Sequence, residues 1–253
     1  MHYPQCMTVD PRFLPVVAFI TFVVAGFVKG VTGMGLPTVA MGLLGALLSP
    51  LAAAGLLLAP SLVTNIWQLA TGPGFGPLFR RFRGMLAAIV IGTSAGSAML
   101  ASGDTDATTK ALGGALVAYA GYTLFVRPIR VPETWERRLS PAVGLATGLV
   151  TGATGVFVIP AVPYLQSLDL GKDDLVQSLG LSFTVSTVAL AAALVWRDAF
   201  RPDNLALSLL SVVPALAGMW LGQRIRDRVS PRTFRLFFLL GLALLGAEML
   251  LRP

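Results

Sequence analysis

The chain is 253 residues long, 55% hydrophobic and only 12% charged, with a formal net charge of +7 and a mean hydropathy of +0.76. Soluble domains run at about 45–50% apolar and about 25% charged residues, so this chain has too little polar surface to cover itself in water. A lone Cys6 excludes an intramolecular disulfide, His2 is the only histidine, and the basic residues are scattered over short segments instead of forming one stripe. Metal chemistry and nucleic-acid binding are set aside on those grounds, and no cofactor is expected.

Charge-free stretches at 13–28, 84–103, 111–126 and 204–223 alternate with segments where Arg, Asp and Glu collect, as in membrane spans joined by polar loops. In chain order the apolar segments are 13–28, 34–48, 51–71, 84–102, 111–126, 141–157, 158–168, 175–196, 204–222 and 233–251. The first, led by Arg12, has the look of a signal-peptide core, but it runs into a glycine motif that recurs later and is read as a span. At about 1.5 Å per residue, 34–48 and 158–168 reach only part-way across an apolar layer about 30 Å thick. Each is therefore read as a half-helix or re-entrant arm paired with the segment before it. The expected fold class is all-α, a polytopic membrane protein with about eight spanning helices.

A constant offset of 122 residues superimposes Gly26 on Gly148, Gly30 on Gly152, Thr32 on Thr154 and Gly33 on Gly155, and carries Thr64 onto Ser186 and Gly96 onto Gly218. Because 122 is close to half the chain, two related repeats are expected, 1–128 and 129–253, each a broken helical pair followed by three spans. If each broken pair returns to its starting side, the segments 72–83, 127–140, 169–174 and 223–235 share one face. That face then carries 13 basic residues, including Arg127 and Arg228, against five on the other: Arg12, Lys110, Arg197, Arg201 and Arg252. If each pair were one long span, the split would fall to 11 against seven. The excess of positive charge on cytoplasmic loops therefore favours inverted repeats with both termini outside.

Inverted-repeat carriers bind cargo near the bilayer midplane, where interrupted helices offer backbone polar groups. The two interruptions here are GVTGMGLP (30–37) and GATGVFVIP (152–160). Glycine permits close approach, proline suits the first turn of a new helix, and the N–H groups of such a turn attract an anion. The site is expected at 30–35 and 151–155, with Gly30, Thr32, Gly33 and Gly35 from the first break and Thr151, Gly152, Thr154 and Gly155 from the second. Pairs such as Gly26/Gly30 and Gly148/Gly152 equally suit close helix packing. Lys29 is the one basic residue inside an apolar run; a buried ammonium marks a site, and one near a helix end snorkels to the headgroups. Its repeat mate is Thr151, so a functional Lys29 makes the halves unequal. After the breaks, Ser61, Thr64, Asn65 and Gln68 in the first half correspond to a stretch with Ser178, Ser182 and Ser186 on one helical face in the second. Of these, Asn65 and Ser186 are taken as supporting groups, because a buried amide needs partners at both ends. No Asp or Glu lies mid-span, which argues against a carboxylate proton relay and against an intramembrane hydrolase.

The strings GFVKGVTGMGLPTVAMGLLG (26–45), GLVTGATGVFVIPAVPYLQSL (148–168) and LGLSFTVSTVAL (179–190) resemble the TauE/SafE sulfite exporter family over nearly the whole chain. That resemblance implies a bacterial inner-membrane transporter of sulfite, sulfonates or related small organic anions, working by alternating access, and not an enzyme. The run of glycines common in the family gives way here to G-M-G-L-P and A-T-G-V-F-V-I-P, which bears on the cargo and leaves the class intact. The expected partners are a small anionic substrate and the lipid bilayer. Homo-oligomer formation, an anion channel and a non-transporting scaffold subunit stay open as alternatives.

Overall fold

The computed structural model describes residues 10, 12–72, 74–126, 130–200, 203–226 and 230–252. His2, Cys6, Arg127, Arg201, Arg228 and the expected boundary at 128/129 lie outside the described residues. Within them the chain is all-helical, with eleven helices in order: α1 (Leu14–Thr32), α2 (Leu36–Leu47), α3 (Pro50–Ala70), α4 (Phe75–Ala101), α5 (Thr105–Phe125), α6 (Glu133–Thr154), α7 (Ala161–Ser167), α8 (Lys172–Trp196), α9 (Asp203–Leu210), α10 (Val212–Ile225) and α11 (Pro231–Leu251). Six stretches are long and apolar enough to cross a membrane: Leu14–Thr32, Pro50–Ala70, Phe75–Ala101, Lys172–Trp196, Leu205–Ile225 and Phe234–Leu251. Many large apolar side chains, such as Phe19, Ile91, Leu209, Phe237 and Leu244, face outward, as a lipid-solvated surface requires.

Several helices begin earlier than their apolar runs. α4 starts at Phe75 and not at 84, because Arg80, Arg81 and Arg83 are good helix formers that ride exposed on its first turns. α5 starts at Thr105, where the Asp104 side chain accepts from Ala107 N (3.0 Å) and Lys110 pairs with Asp106 (2.8 Å) one turn on. α6 starts at Glu133, with Glu133 and Glu136 in its first turn opposing the helix dipole. The arm expected at 158–168 is helical only over Ala161–Ser167, preceded by irregular backbone. The segment 204–222 is interrupted at Ser211. Pro214 explains the break: it has no N–H for the Leu210 carbonyl, and its ring crowds that oxygen.

A second proline is repaired across the protein. Pro60 lies inside α3 and leaves the Leu56 carbonyl without its helical donor. Ser208 of α9 supplies one, donating from Oγ to Leu56 O (2.9 Å) while accepting from Ala59 N (3.2 Å). Away from water, such a carbonyl needs a substitute partner. Gln177 of α8 does similar work at the end of α3. Its Nε2 donates to Leu69 O and Gly72 O (2.9 Å each) and its Oε1 accepts from Gly74 N (2.7 Å).

Two glycine-lined interfaces tie the halves together. α1 packs on α10 and α6 packs on α4. A Cβ added at Gly26 or Gly30 would lie 2.1 Å or 2.2 Å from the carbonyl oxygens of Ala215 and Met219, and one at Gly148 or Gly152 would lie 2.3 Å or 2.4 Å from those of Ile89 and Thr93. These backbones touch, as in small-residue packing between membrane helices. The 122-residue offset carries over into the contacts. Gly26 meets Ala215 while Gly148 meets Thr93; Gly30 meets Met219 while Gly152 meets Ser97. In each pair of contacts, both residues have exchanged for their repeat mates. α3 and α8 run antiparallel, because Asn65 bonds Thr187 (3.3 Å) whereas Gln68, further along α3, bonds Val176, earlier on α8 (2.9 Å). α5 and α11 do the same, with Gly113 beside Gly246 and Thr123 O accepting from Arg235 Nη2 (3.0 Å).

Candidate functional site

α1 reaches its full 19 residues before it stops, and Gly26 and Gly30 turn toward α10. That orientation directs Lys29 at α3 instead. The side chain is 3% exposed and does not snorkel to an interface. Its Nζ donates to Thr64 Oγ1 (3.2 Å) and to Asn65 Oδ1. The rest of the chain of bonds is polarised by that start. Asn65 has its oxygen toward the ammonium, so its Nδ2 points away and donates to Thr187 Oγ1 (3.3 Å); Thr187 in turn donates to Phe183 O (2.7 Å). Thr64 donates to Pro60 O (2.8 Å). Every partner of Lys29 is neutral, and the ion pairs among the described residues, Arg81–Glu136, Lys110–Asp106 and Arg252–Glu248, do not include it. An ammonium has three donors, and here two have protein acceptors.

The two breaks are built alike. Gly33 and Gly155 both cap their helices in the left-handed region, at φ 78° and 72°, and their N–H groups return to Lys29 O (2.7 Å) and Thr151 O (2.8 Å). Thr32 Oγ1 donates to Val28 O (2.9 Å) or Met34 O (2.7 Å); Thr154 Oγ1 donates to Val150 O (2.7 Å) and accepts from Val156 N (3.2 Å). Both hydroxyls therefore close their own helix end. Thr151 is likewise engaged, with Thr147 O (2.7 Å) and Val156 O (3.3 Å). Gly35 (φ 96°) sits against Val28 and Phe238, and Gly155 lies under Met41.

Of the residues expected in the site, then, Lys29 and Asn65 are joined directly, and Ser186 precedes Thr187 on α8 without a side-chain hydrogen bond of its own. Gly30 and Gly152 face helix backbones, where no space for a ligand remains. Gly152 packs against α4, Thr151 and Thr154 bond within the end of α6, Gly155 lies under Met41 of α2, and none of the four makes a hydrogen bond to the Lys29 group. Thr64 and Thr187 are the partners that residue-type reasoning underweights. The offset of 122 identifies the second, since Thr187 is the repeat mate of Asn65.

The two helices that carry Asn65 and Thr187 also hold hydroxyls without partners. Ser61 on α3 and Ser178, Ser182 and Ser186 on α8 are buried with no hydrogen bond, as is Gln68 Oε1. A buried hydroxyl without a partner is costly, so the four on α3 and α8 are open to a polar guest; Thr38 on α2 and Thr93 on α4 have hydroxyls without partners as well.

A scan against family models matches the sulfite exporter TauE/SafE description over residues 18–249. The chain belongs to the sulfite exporter TauE/SafE family. No curated protein and no solved structure matches it. TauE/SafE proteins are membrane transporters of sulfite-related anions, and the apolar helices make this member a multi-pass membrane protein. In this TauE/SafE chain, a cavity of about 260 Å³ lies at the end of α1, where Thr32, Gln166, Arg226 and Arg235 contribute to its wall. Lys29 is not part of that wall; it is buried one helical turn further back along α1.

Proposed function

We propose that the chain is a secondary carrier that moves a small anion, sulfite, a sulfonate or a related organic anion, across the bacterial inner membrane by alternating access. One observation carries the reading: Lys29 is enclosed and held against α3 only by neutral acceptors, Thr64 and Asn65, while α3 and α8 also carry unpartnered hydroxyls. A buried charge without a counter-charge is expensive. A visiting anion supplies the missing charge, taking the third ammonium donor and the hydroxyls of Ser61 and Ser186. A site of donors with no carboxylate rejects a cation.

The carrier reading also takes the chain as two inverted repeats, each a broken pair and three spans, with α5 and α6 bringing the membrane crossings to about eight. Antiparallel crossing of the mates α3 with α8 and α5 with α11 favours it, as does the exchange of contacts between α1–α10 and α6–α4. The cargo site then sits where Asn65 meets its own mate, on the axis relating the halves, and rocking one half against the other exposes it alternately to each side.

The test is uptake and counterflow of radiolabelled sulfite and a short sulfonate in proteoliposomes, wild type against Lys29→Ala. Saturable, exchanging flux that disappears in the variant is the expected result. Flux linear in concentration without counterflow would identify a channel, and wild-type transport by the variant would remove Lys29 from the site.

A further inference from the structure

The cavity at the end of α1 has a composition that a mere packing gap does not. Its polar lining comes from Thr32, Tyr119, Tyr122, Thr123, Gln166, Arg226 and Arg235, with no carboxylate among the described residues, over an apolar floor that includes Val31 and Phe238. Two other arginines are already engaged. Arg81 forms a two-pronged pair with Glu136 (2.6 and 2.7 Å), and the Arg224 guanidinium lies over the Trp220 ring, 4.7 Å from its centre. Arg226 and Arg235 are in no ion pair with a described carboxylate. Arg235, which lines the cavity, donates from Nη2 to Thr123 O (3.0 Å), one of the five donors that a guanidinium carries. The two guanidiniums reach the same space from different helices, Arg226 from the end of α10 and Arg235 from α11.

We infer that Arg226 and Arg235 form a second, outer anion station, which a small oxyanion occupies between the water on the basic side and Lys29. The inference rests on the reading of Lys29 as the inner station. At about 30 Å³ per water, the cavity accommodates an oxyanion with part of its hydration shell. Planar guanidinium forks suit oxyanion geometry, and two of them in a low-dielectric cleft concentrate anions at its mouth. Thr32 lines the cavity and lies one turn from Lys29, so the two stations share the last turn of α1. The occupant is the dissolved cargo; the headgroup of an anionic lipid has the same chemistry, and the test separates the two.

The experiment places a single thiol in the wall by Gln166→Cys on a Cys6→Ser background. Reaction rates are then measured with an anionic and with a cationic methanethiosulfonate. With both arginines present the anionic reagent is favoured; in Arg226→Gln/Arg235→Gln the ratio of the two rates falls about tenfold. The cationic rate serves as the control for folding. In vesicles of both orientations, the double arginine variant should raise KM about tenfold for anion presented at the basic side, with the maximal rate and the opposite-side KM changed less than about twofold. An unchanged rate ratio or an unchanged basic-side KM overturns the station. Labelling that is blocked by phosphatidylglycerol and unaffected in phosphatidylcholine, with KM indifferent to the arginines, assigns the cavity to lipid and overturns it too. Lys29→Gln tells the two readings apart: loss of flux with the labelling ratio intact upholds both, whereas wild-type flux with the ratio intact removes the inner station alone.

Discussion

Replacing Lys29 by methionine separates a functional cation from a structural one, because the two roles predict opposite changes. Methionine keeps an unbranched side chain of similar length and fills the same volume. Loss of the ammonium leaves Asn65 Oδ1 without its donor, a cost of about 1–3 kcal/mol. It also removes an enclosed ammonium with no counter-charge, worth up to about 2.5–3.5 kcal/mol at the centre of a span and less in the last turn of α1. The two nearly cancel, so thermal unfolding in detergent should show a Tm that is unchanged or higher. Cargo, in contrast, loses a charge-assisted bond of about 1.5–3 kcal/mol, which is about a tenfold to 150-fold loss of affinity. Counterflow across a concentration series reads that loss directly. Saturable flux with affinity within about twofold of wild type would refute the assignment, and so would a Lys29→Met protein that no longer folds.

Three further outcomes follow from the geometry. Gly30→Ala forces a Cβ to 2.2 Å from the Met219 carbonyl oxygen and should cost about 1–3 kcal/mol or more, whereas Gly33→Ala meets open space and carries only the left-handed backbone penalty of about 1 kcal/mol; melting curves of the two rank them. Asn65→Asp sets a carboxylate beside Lys29, so the internal pair should raise Tm while competing with cargo and lowering flux at least about tenfold. Ser208→Ala strands the Leu56 carbonyl beneath Pro60 and should lower stability by about 1 kcal/mol with cargo affinity unchanged.

The membrane fold was legible because apolar runs are long and charges punctuate them, and the 122-residue offset was legible because glycine and threonine at helix ends answer the same backbone need twice. What composition hid was where helices begin: Arg80, Arg81 and Arg83 look like loop residues until their helix propensity is set against their hydropathy. The interruption at Ser211 was hidden for the converse reason, since Pro214 sits in an apolar run and breaks the helix without altering its hydropathy. Residue type singled out Lys29 and Asn65 separately, because a buried ammonium and a buried amide both require partners; the hydrogen bond that joins them is visible only in the fold. It also grouped the two breaks into one constellation. Within those breaks Gly30 and Gly152 pack on different helices; a glycine suits packing and ligand approach equally well, and only its surroundings decide.

The asymmetry of the halves has an electrical consequence. Lys29 stands in the first half, while its mate Thr151 is occupied by Thr147 O and Val156 O and brings no charge. With Lys29 protonated, the site at the Asn65–Thr187 contact therefore holds one positive charge in total from the described residues. A singly charged anion makes the loaded site neutral, so it crosses the low-dielectric barrier without a Born penalty, and a dianion would leave one charge uncompensated. The empty site, returning with its ammonium, moves one positive charge. Exchange of a monoanion for a monoanion should then be indifferent to an imposed potassium-diffusion potential, while net flux, which requires the empty return, should respond to it at about 2.3 kcal/mol per 100 mV for a full crossing. Equal voltage dependence of exchange and net flux would show that the charge accompanying the cargo is not the one on Lys29.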